Sequence, residues 1–448
     1  MPAGEVVEFR PRGLRDVGDA AKASKLILLL QGPVGPFFRV LQKQLESDGH
    51  ETCRITFNPG DRYYSGKHNC LRFAGTPGDF SDFLTKFTDG RPVDAVILFG
   101  AMRPHHQVAR HFFAAANVPV ICLEEGYQRP GFITAELGGN NAHSPIAGRV
   151  APRREIDLPA PKPASTRSAF NQMARYAASY YIRQAILSSL REHKGFHKRS
   201  RANLVREAAY WVRNYYRRMR HSLPNMRQIE RLLEVYDKRY YLIPFQVSDD
   251  AQLTSPAARG WSNELLALKT IESFARNAPA DHRLVFKIHP LERGHSNAHA
   301  MVAEIAGQFG VAGRVDVIDT GSMGLLARHS AGMITINSTS GLSAIYHGVP
   351  LGVLGKAIYG NRQLCSLLDS TNDIDRFWCN GKVAKQRIRH GYLHYVARNC
   401  LLPGDFYLAQ EQGVAVHHLL QMVKRVTDRS ATMDKTSSNV VVLERLYG

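Results

Sequence analysis

Short, mainly apolar runs recur along this chain, and a helical pattern follows most of them after a glycine, proline or polar break. In the first half they are Leu26–Leu30, Val93–Phe99 and Val118–Leu123. In the second half they are Tyr240–Val247, Leu284–Ile288, Val315–Asp319, Gly332–Ile336 and Pro350–Gly355. Strands buried on both faces read as near-continuous apolar runs. Helical spacing over Phe37–Leu45, Asn263–Asn277 and Ala298–Phe309 alternates with them. That alternation predicts an α/β fold whose parallel sheets are covered on both sides.

Between the two sets, residues 169–236 carry no strand signal and read as helical and basic. A chain of 448 residues accommodates two such domains. The expected division is a Rossmann-like domain over 25–160, a basic helical segment over 161–236 and a second Rossmann-like domain over 237–404. A C-terminal helix over 405–428 and flexible ends at 1–24 and 429–448 complete it. Two Rossmann-like domains with a cleft between them are a GT-B-like plan, one shared by many unrelated enzymes.

Lys and Arg number 58 against 39 acidic residues, a formal charge of +19. Such a field attracts phosphates, and nucleic acid, anionic lipid and nucleotide-sugar donors all qualify. The helical segment holds Arg199, Arg201, Arg206, Arg213, Arg217, Arg218 and Arg220 interleaved with Tyr180, Tyr181, Tyr210, Trp211, Tyr215 and Tyr216. This mixture suits an anionic membrane surface, or else a solvated helical face. No run approaches the roughly 20 apolar residues that span a bilayer. The leader, with Glu5, Glu8, Asp16 and Asp19, makes a poor signal peptide. Six scattered cysteines without a C-x-x-C pair point to reduced thiols in a cytoplasmic protein.

Five strings sit where parallel strands end, the places at which such sheets bind ligands. Gln31-Gly32-Pro-Val-Gly35 is not a P-loop; its glycines allow backbone to approach a ligand, or serve a tight turn. Glu124-Glu125-Gly126, with Arg129 beyond, offers a general base, or a cap and a salt bridge. In Gln246-Val-Ser-Asp249-Asp250 a carboxylate is placed for nucleophilic attack, or for helix capping. Lys287 and His289, two apart on a strand before Pro290, share a face and suit one anionic ligand; a structural histidine is the alternative. Asn337-Ser338-Thr339 precedes a helix, where hydroxyls and free N–H groups hold anions, or simply cap the helix. His390 and His394 lack a third ligand, and no metal site is expected; His105-His106 and His417-His418 read as packing or solvated residues.

Together the strings Leu30-QGPVGPFF, Glu124-EGYQRPGFIT, Gly138-GNNAHSP, Pro244-FQVSDDAQL, Phe286-KIHPLERG and Ile336-NSTSGLSAIYHGVPLGVLGKAIY resemble the capsule polysaccharide biosynthesis family of Gram-negative bacteria, of the KpsS/LipB type. The resemblance implies a retaining β-Kdo transferase. It would use CMP-β-Kdo, start a short oligo-Kdo linker on a phosphatidylglycerol lipid, and work at the cytoplasmic face of the inner membrane. Other capsule biosynthesis and export proteins would be its partners; no cofactor and no nucleic acid are implied.

The resemblance makes Asp250 the nucleophile, with Asp249 its neighbour in rivalry. Glu125, with Glu124 as rival, becomes the acceptor base, and His289 helps the leaving phosphate. Gln246, Lys287, His289, Pro290, Asn337, Ser338 and Thr339 become donor-binding residues. Gln31, Gly32, Gly35 and Arg129 remain further cleft candidates. A linker-extending transferase, another CMP-sugar transferase, and a nucleic-acid or lipid-binding protein on a degenerate transferase fold are the alternatives.

Overall fold

A computed structural model describes residues 24–66, 68–188, 204–247, 253, 255–290 and 292–433. Its strands are β1 (Leu26–Leu29), β2 (Glu51–Thr56), β3 (Cys70–Arg72), β4 (Ala95–Phe99), β5 (Val120–Glu125), β6 (Phe132–Leu137), β7 (Tyr240–Pro244), β8 (Arg283–Lys287), β9 (Val315–Ile318), β10 (Gly332–Thr335), β11 (Leu351–Val353), β12 (Ser366–Leu367) and β13 (Leu401–Pro403). The chain divides into two units. The first combines the chain up to Asn140 with Pro161–Leu204 and everything from Ala397; the second combines Asn141–Ala160 with Val205–Val396.

The sheet of the first unit runs β13-β6-β5-β4-β1-β2-β3. Side chains alternate across it, as the two-residue strand period requires. Ile27 and Leu29 pack with Phe37, Phe38, Leu41 and Phe406 on one face. Leu26, Leu28 and Leu30 pack with Phe57, Phe80 and Phe113 on the other. The expectation of a purely parallel sheet needs one correction: β6 runs antiparallel to both β5 and β13.

That pairing also moves a domain boundary. β13 hydrogen-bonds to β6 in the register Leu401↔Thr134, Leu402↔Ile133, Pro403↔Phe132. The following helix, Ala409–Met433, buries Ala415, Val416, Leu419 and Val423 in the first unit's core. The C-terminal segment therefore belongs to the first unit from Ala397 onward, and the second ends before the expected residue 404.

The second sheet runs β12-β11-β10-β7-β8-β9, every pair parallel. With β7 counted as first strand, the order is 3-2-1-4-5-6, that of a dinucleotide-type Rossmann fold. The two Rossmann-like α/β units expected from the sequence are thus present.

The strand-free stretch contains helices Phe170–Ser188 and Leu204–Glu234. It is not one segment: the first helix belongs to the first unit, and nearly all of the second to the second unit. Arg199 and Arg201 lie outside the described residues, as do the side chains of Arg206 and Trp211.

Candidate functional site

In a sheet of this order, the connections after its first and fourth strands leave in opposite directions and open a crevice at their C-terminal ends. In the second unit those strands are β7 and β10. Gln246 follows β7 and Asn337 follows β10, and both are buried. Gln246 Nε2 donates to Asn337 Oδ1 at 3.0 Å, and the Asn337 N–H donates back to Gln246 Oε1 at 3.3 Å. Asn263 accepts from the Gln246 N–H at 3.2 Å and donates to its carbonyl at 2.8 Å. The Asn337 carbonyl accepts from Asn141 Nδ2 at 3.1 Å. These two predicted donor-binding residues therefore bind each other, which fixes where the loops at the crevice begin. Asp249 and Asp250, on the first of those loops, lie outside the described residues.

The second loop differs in detail from expectation. The helix after Asn337 is short, Gly341–His347. Its leading N–H groups are engaged internally: Ser340 to Ser338 Oγ at 3.2 Å, Gly341 to the Ser338 carbonyl at 3.0 Å and Leu342 to the Thr339 carbonyl at 3.0 Å. What the loop offers an anion is thus its half-buried Ser338 and Thr339, not a row of unoccupied amides.

Lys287 closes β8, beside β7, and is 6 % exposed. Burial pulls its ammonium below the usual lysine range, Arg293 adds to this, and the negative charge of Asp319 opposes it. His289 is exposed and lies beyond the strand, in a turn closed by the Glu292 N–H donating to the His289 carbonyl at 2.8 Å. The strand alternation that would pair Lys287 with His289 thus ends before the histidine.

Behind this turn stands a cluster whose members no spacing in the sequence connects. Asp319, just past β9, is fully buried. It accepts from Asn225 Nδ2 at 2.7 Å and from His221 Nδ1 at 3.1 Å; Arg293 Nε lies 3.0 Å from it, and Arg293 Nη2 donates to its carbonyl at 2.6 Å. Burial works against ionisation, but His299, Arg293 and His221 outweigh it and hold the carboxyl at about 2. His221, His299 and Asp319 bring three potential metal-ligand atoms within 4.8 Å of one another. Because the guanidinium of Arg293 already faces the same carboxylate oxygen, a divalent cation there would meet a fixed positive charge. We read the cluster as the seat of the long helix Leu204–Glu234.

The same helix reaches the His-Pro turn itself. Asn214 Nδ2 donates to the Pro290 carbonyl at 3.1 Å, and Arg217 donates to the carbonyls of Arg293 and Ser296, each at 2.7 Å. Contact is closest at Gly294, where a Cβ would lie 2.2 Å from the Tyr210 carbonyl oxygen.

In the first unit, adjacent residues Glu124 and Glu125 end β5 and point to opposite faces of the sheet. Glu125 is half-buried; its Oε1 accepts from the Tyr407 hydroxyl at 2.5 Å and its Oε2 lies 3.7 Å from Arg129. Burial pushes the Glu125 carboxyl up, while Arg129 and Tyr407 pull it down and Asp405 adds to the rise. A carboxylate held above its ordinary range and only partly covered has the character of a general base. Gly126 is needed next to it, because a Cβ there would lie 2.2 Å from the Phe132 carbonyl oxygen.

Gln31, Gly32 and Gly35 have a packing role. The Gln31 amide donates to the Tyr180 hydroxyl at 2.6 Å. A Cβ at either Gly32 or Gly35 would lie 2.7 Å from an aromatic side chain, Phe38 and Tyr176 respectively.

The family profile described as "Capsule polysaccharide biosynthesis protein" matches residues 94–407, well over half of the chain. This chain belongs to that family. The capsule polysaccharide export protein KpsS of Escherichia coli is 34 % identical over 347 residues, covering 75 % of this chain and 86 % of that protein. The capsule polysaccharide modification protein LipB of Neisseria meningitidis serogroup A is 29 % identical over 402 residues, covering 86 % and 92 %. Among solved structures, Thermosulfurimonas dismutans KpsC, a β-Kdo 2,7 transferase, aligns over 89 % of this chain and 99 % of that one at 14 % identity and a TM-score of 0.37, too loose a likeness to guide mechanism. The family match spans Glu124–Glu125, the β7, β8 and β10 loops and Tyr407.

Proposed function

We propose that this capsule protein is a retaining glycosyltransferase that moves Kdo from CMP-β-Kdo to a phosphatidylglycerol-type lipid. It thereby starts the oligo-Kdo linker of a capsular polysaccharide at the cytoplasmic face of the inner membrane. The observation that carries the reading is Lys287, a desolvated ammonium at the ligand-binding end of a Rossmann-like sheet. A phosphate placed beside it restores to that ammonium an opposite charge in a poorly solvated site, where the interaction is strong. Family membership supplies the glycan context, and the KpsS/LipB-type resemblance of the loop strings, which implies CMP-β-Kdo, supplies the donor.

In this reading Lys287, His289, Ser338 and Thr339 hold the CMP phosphate and ribose, and the Gln246–Asn337 clamp sets the loops that carry them. A carboxylate, assigned to Asp250 rather than Asp249, attacks the anomeric carbon. The carbon–oxygen bond to the phosphate breaks, and CMP leaves with the electron pair. An acceptor hydroxyl then displaces the carboxylate while Glu125 takes its proton. Two displacements restore the original configuration.

The test is CMP release from CMP-Kdo with a short-chain phosphatidylglycerol acceptor. Wild-type protein releases CMP, and Asp250→Ala and Lys287→Ala lose at least about a hundredfold in rate, as for removal of a group acting on transition-state charge. Full activity in Asp250→Ala, or no release by the wild type, rejects the mechanism. Steep salt-dependent binding to duplex DNA without CMP release would favour the non-enzymatic alternative.

A further inference from the structure

The helix Leu204–Glu234 is amphipathic in the reverse of the usual sense. A helix on a protein surface ordinarily turns its apolar side inward. Here, over Asn214–Gln228, the inward side is polar: Asn214, Arg217, His221, Asn225 and Gln228 all bond to the rest of the second unit, and only further on does Leu232 bury an apolar side chain. The outward side carries Val212, Tyr215, Tyr216, Met219, Leu223 and Met226, each between 55 and 69 % exposed. At about 100° of turn per residue these six fall within a stripe about 100° wide, opposite the docked side, and extend roughly 20 Å along the axis. Exposed arginines flank it, Arg220 and Arg227 on one side and Arg218 on the other. Toward the C-terminal end Glu230 and Glu234 take over this side, so the apolar stripe has a defined limit.

A contiguous apolar stripe rimmed by one sign of charge marks an interaction surface. We infer that this side of the helix is the membrane-contacting surface of the protein, and that its occupant is an anionic bilayer. Two features choose the bilayer. The flanking charge is of one sign and complements anionic headgroups, and Tyr215 and Tyr216 belong to the residue types that settle at the apolar–polar boundary. No helix among the described residues is long and apolar enough to cross a membrane, so contact through this stripe would be peripheral. The phosphatidylglycerol in the test follows from the proposed lipid acceptor; the location of the surface does not depend on it.

The experiment is co-sedimentation of the full chain, without any sugar donor, with vesicles of phosphatidylcholine and phosphatidylglycerol at 3:1, and of phosphatidylcholine alone. Wild-type protein sediments with the mixed vesicles and releases as salt rises. Met219→Glu/Leu223→Glu lowers partitioning at least about tenfold, as does Arg218→Gln/Arg220→Gln/Arg227→Gln. Both variants keep the wild-type melting temperature, and both still transfer to a detergent-dispersed short-chain acceptor if the transferase reading is right. Equal sedimentation of Met219→Glu/Leu223→Glu and wild type overturns the inference. So does a wild-type dimer that these substitutions convert to monomer without change in vesicle binding, which would make the stripe a contact between two copies. Vesicle binding by a protein that transfers no Kdo rejects the enzymatic reading and leaves the docking surface standing.

Discussion

Replacing Asp319 with Asn tests the seat of the long helix. The carboxylate is fully buried and is held at about 2 against an ordinary 3.8. At 1.36 kcal/mol for each tenfold change in acidity, that difference corresponds to about 2 kcal/mol of stability. Its sign follows from the depressed value: the contribution is complete above pH about 4 and is lost as pH falls toward about 2. The substitution also leaves Arg293, 7 % exposed, without its buried counter-charge. Breaking such a pair from one side costs about 3–5 kcal/mol. Asp319→Asn is therefore expected to lower stability at pH 7 by about 3 kcal/mol or more, and Asp319→Leu/Arg293→Met to recover much of that loss.

Hydrogen exchange is the suitable assay, because a two-unit chain need not unfold in one step. Amides of Leu204–Glu234 should exchange at least about a hundredfold faster in Asp319→Asn, while those of β1, β4 and β5 stay unchanged. Exchange in the long helix within a factor of about two of wild type at pH 7 would refute the assignment of Asp319 as its anchor.

Glu125 supplies a second prediction, read from the pH dependence of transfer. Its carboxyl is raised, so the acid limb of activity should lie above the ordinary glutamate range of about 4.3. Tyr407→Phe removes a partner that lowers it and should move the limb to higher pH; Asp405→Asn removes a charge that raises it and should move the limb to lower pH. Equal profiles in all three proteins would take the base role from Glu125. At Gly294, Ala would place a Cβ 2.2 Å from the Tyr210 carbonyl oxygen, so Gly294→Ala should push the helix off the His-Pro turn and cost at least about 2 kcal/mol. A melting temperature unchanged from wild type would show that the turn adapts.

What could be read in the sequence follows the physics of parallel sheets. β1, β4, β7 and β10 are buried on both faces, so their apolar runs stand out. β2 was not legible because it carries Arg54, which is buried only by virtue of a 2.7 Å pair with Asp61 seven residues away. β6 reads as ordinary mixed sequence; it turns back antiparallel on β5, and its other edge is covered by β13, more than 260 residues later. The loop strings were local and visible, yet their division of labour was not. Gln246 and Asn337 look like ligand donors until their mutual hydrogen bonds are seen. The Asp319 cluster joins residues 221, 225, 293 and 319 with no spacing rule to connect them. The long helix was legible as basic and aromatic, but its orientation was not, because over Asn214–Gln228 its docked side is the polar one.

Retaining Kdo transfer from a CMP-activated donor is tested most directly by NMR and mass analysis of the lipid product. The reaction mixture would contain the full chain, CMP-β-Kdo and short-chain phosphatidylglycerol. The expected product is a glycolipid bearing β-linked Kdo, with one CMP released for each sugar added, and Asp250→Ala forms none. An α-linked product, or CMP released without Kdo appearing on the lipid, would contradict retaining transfer.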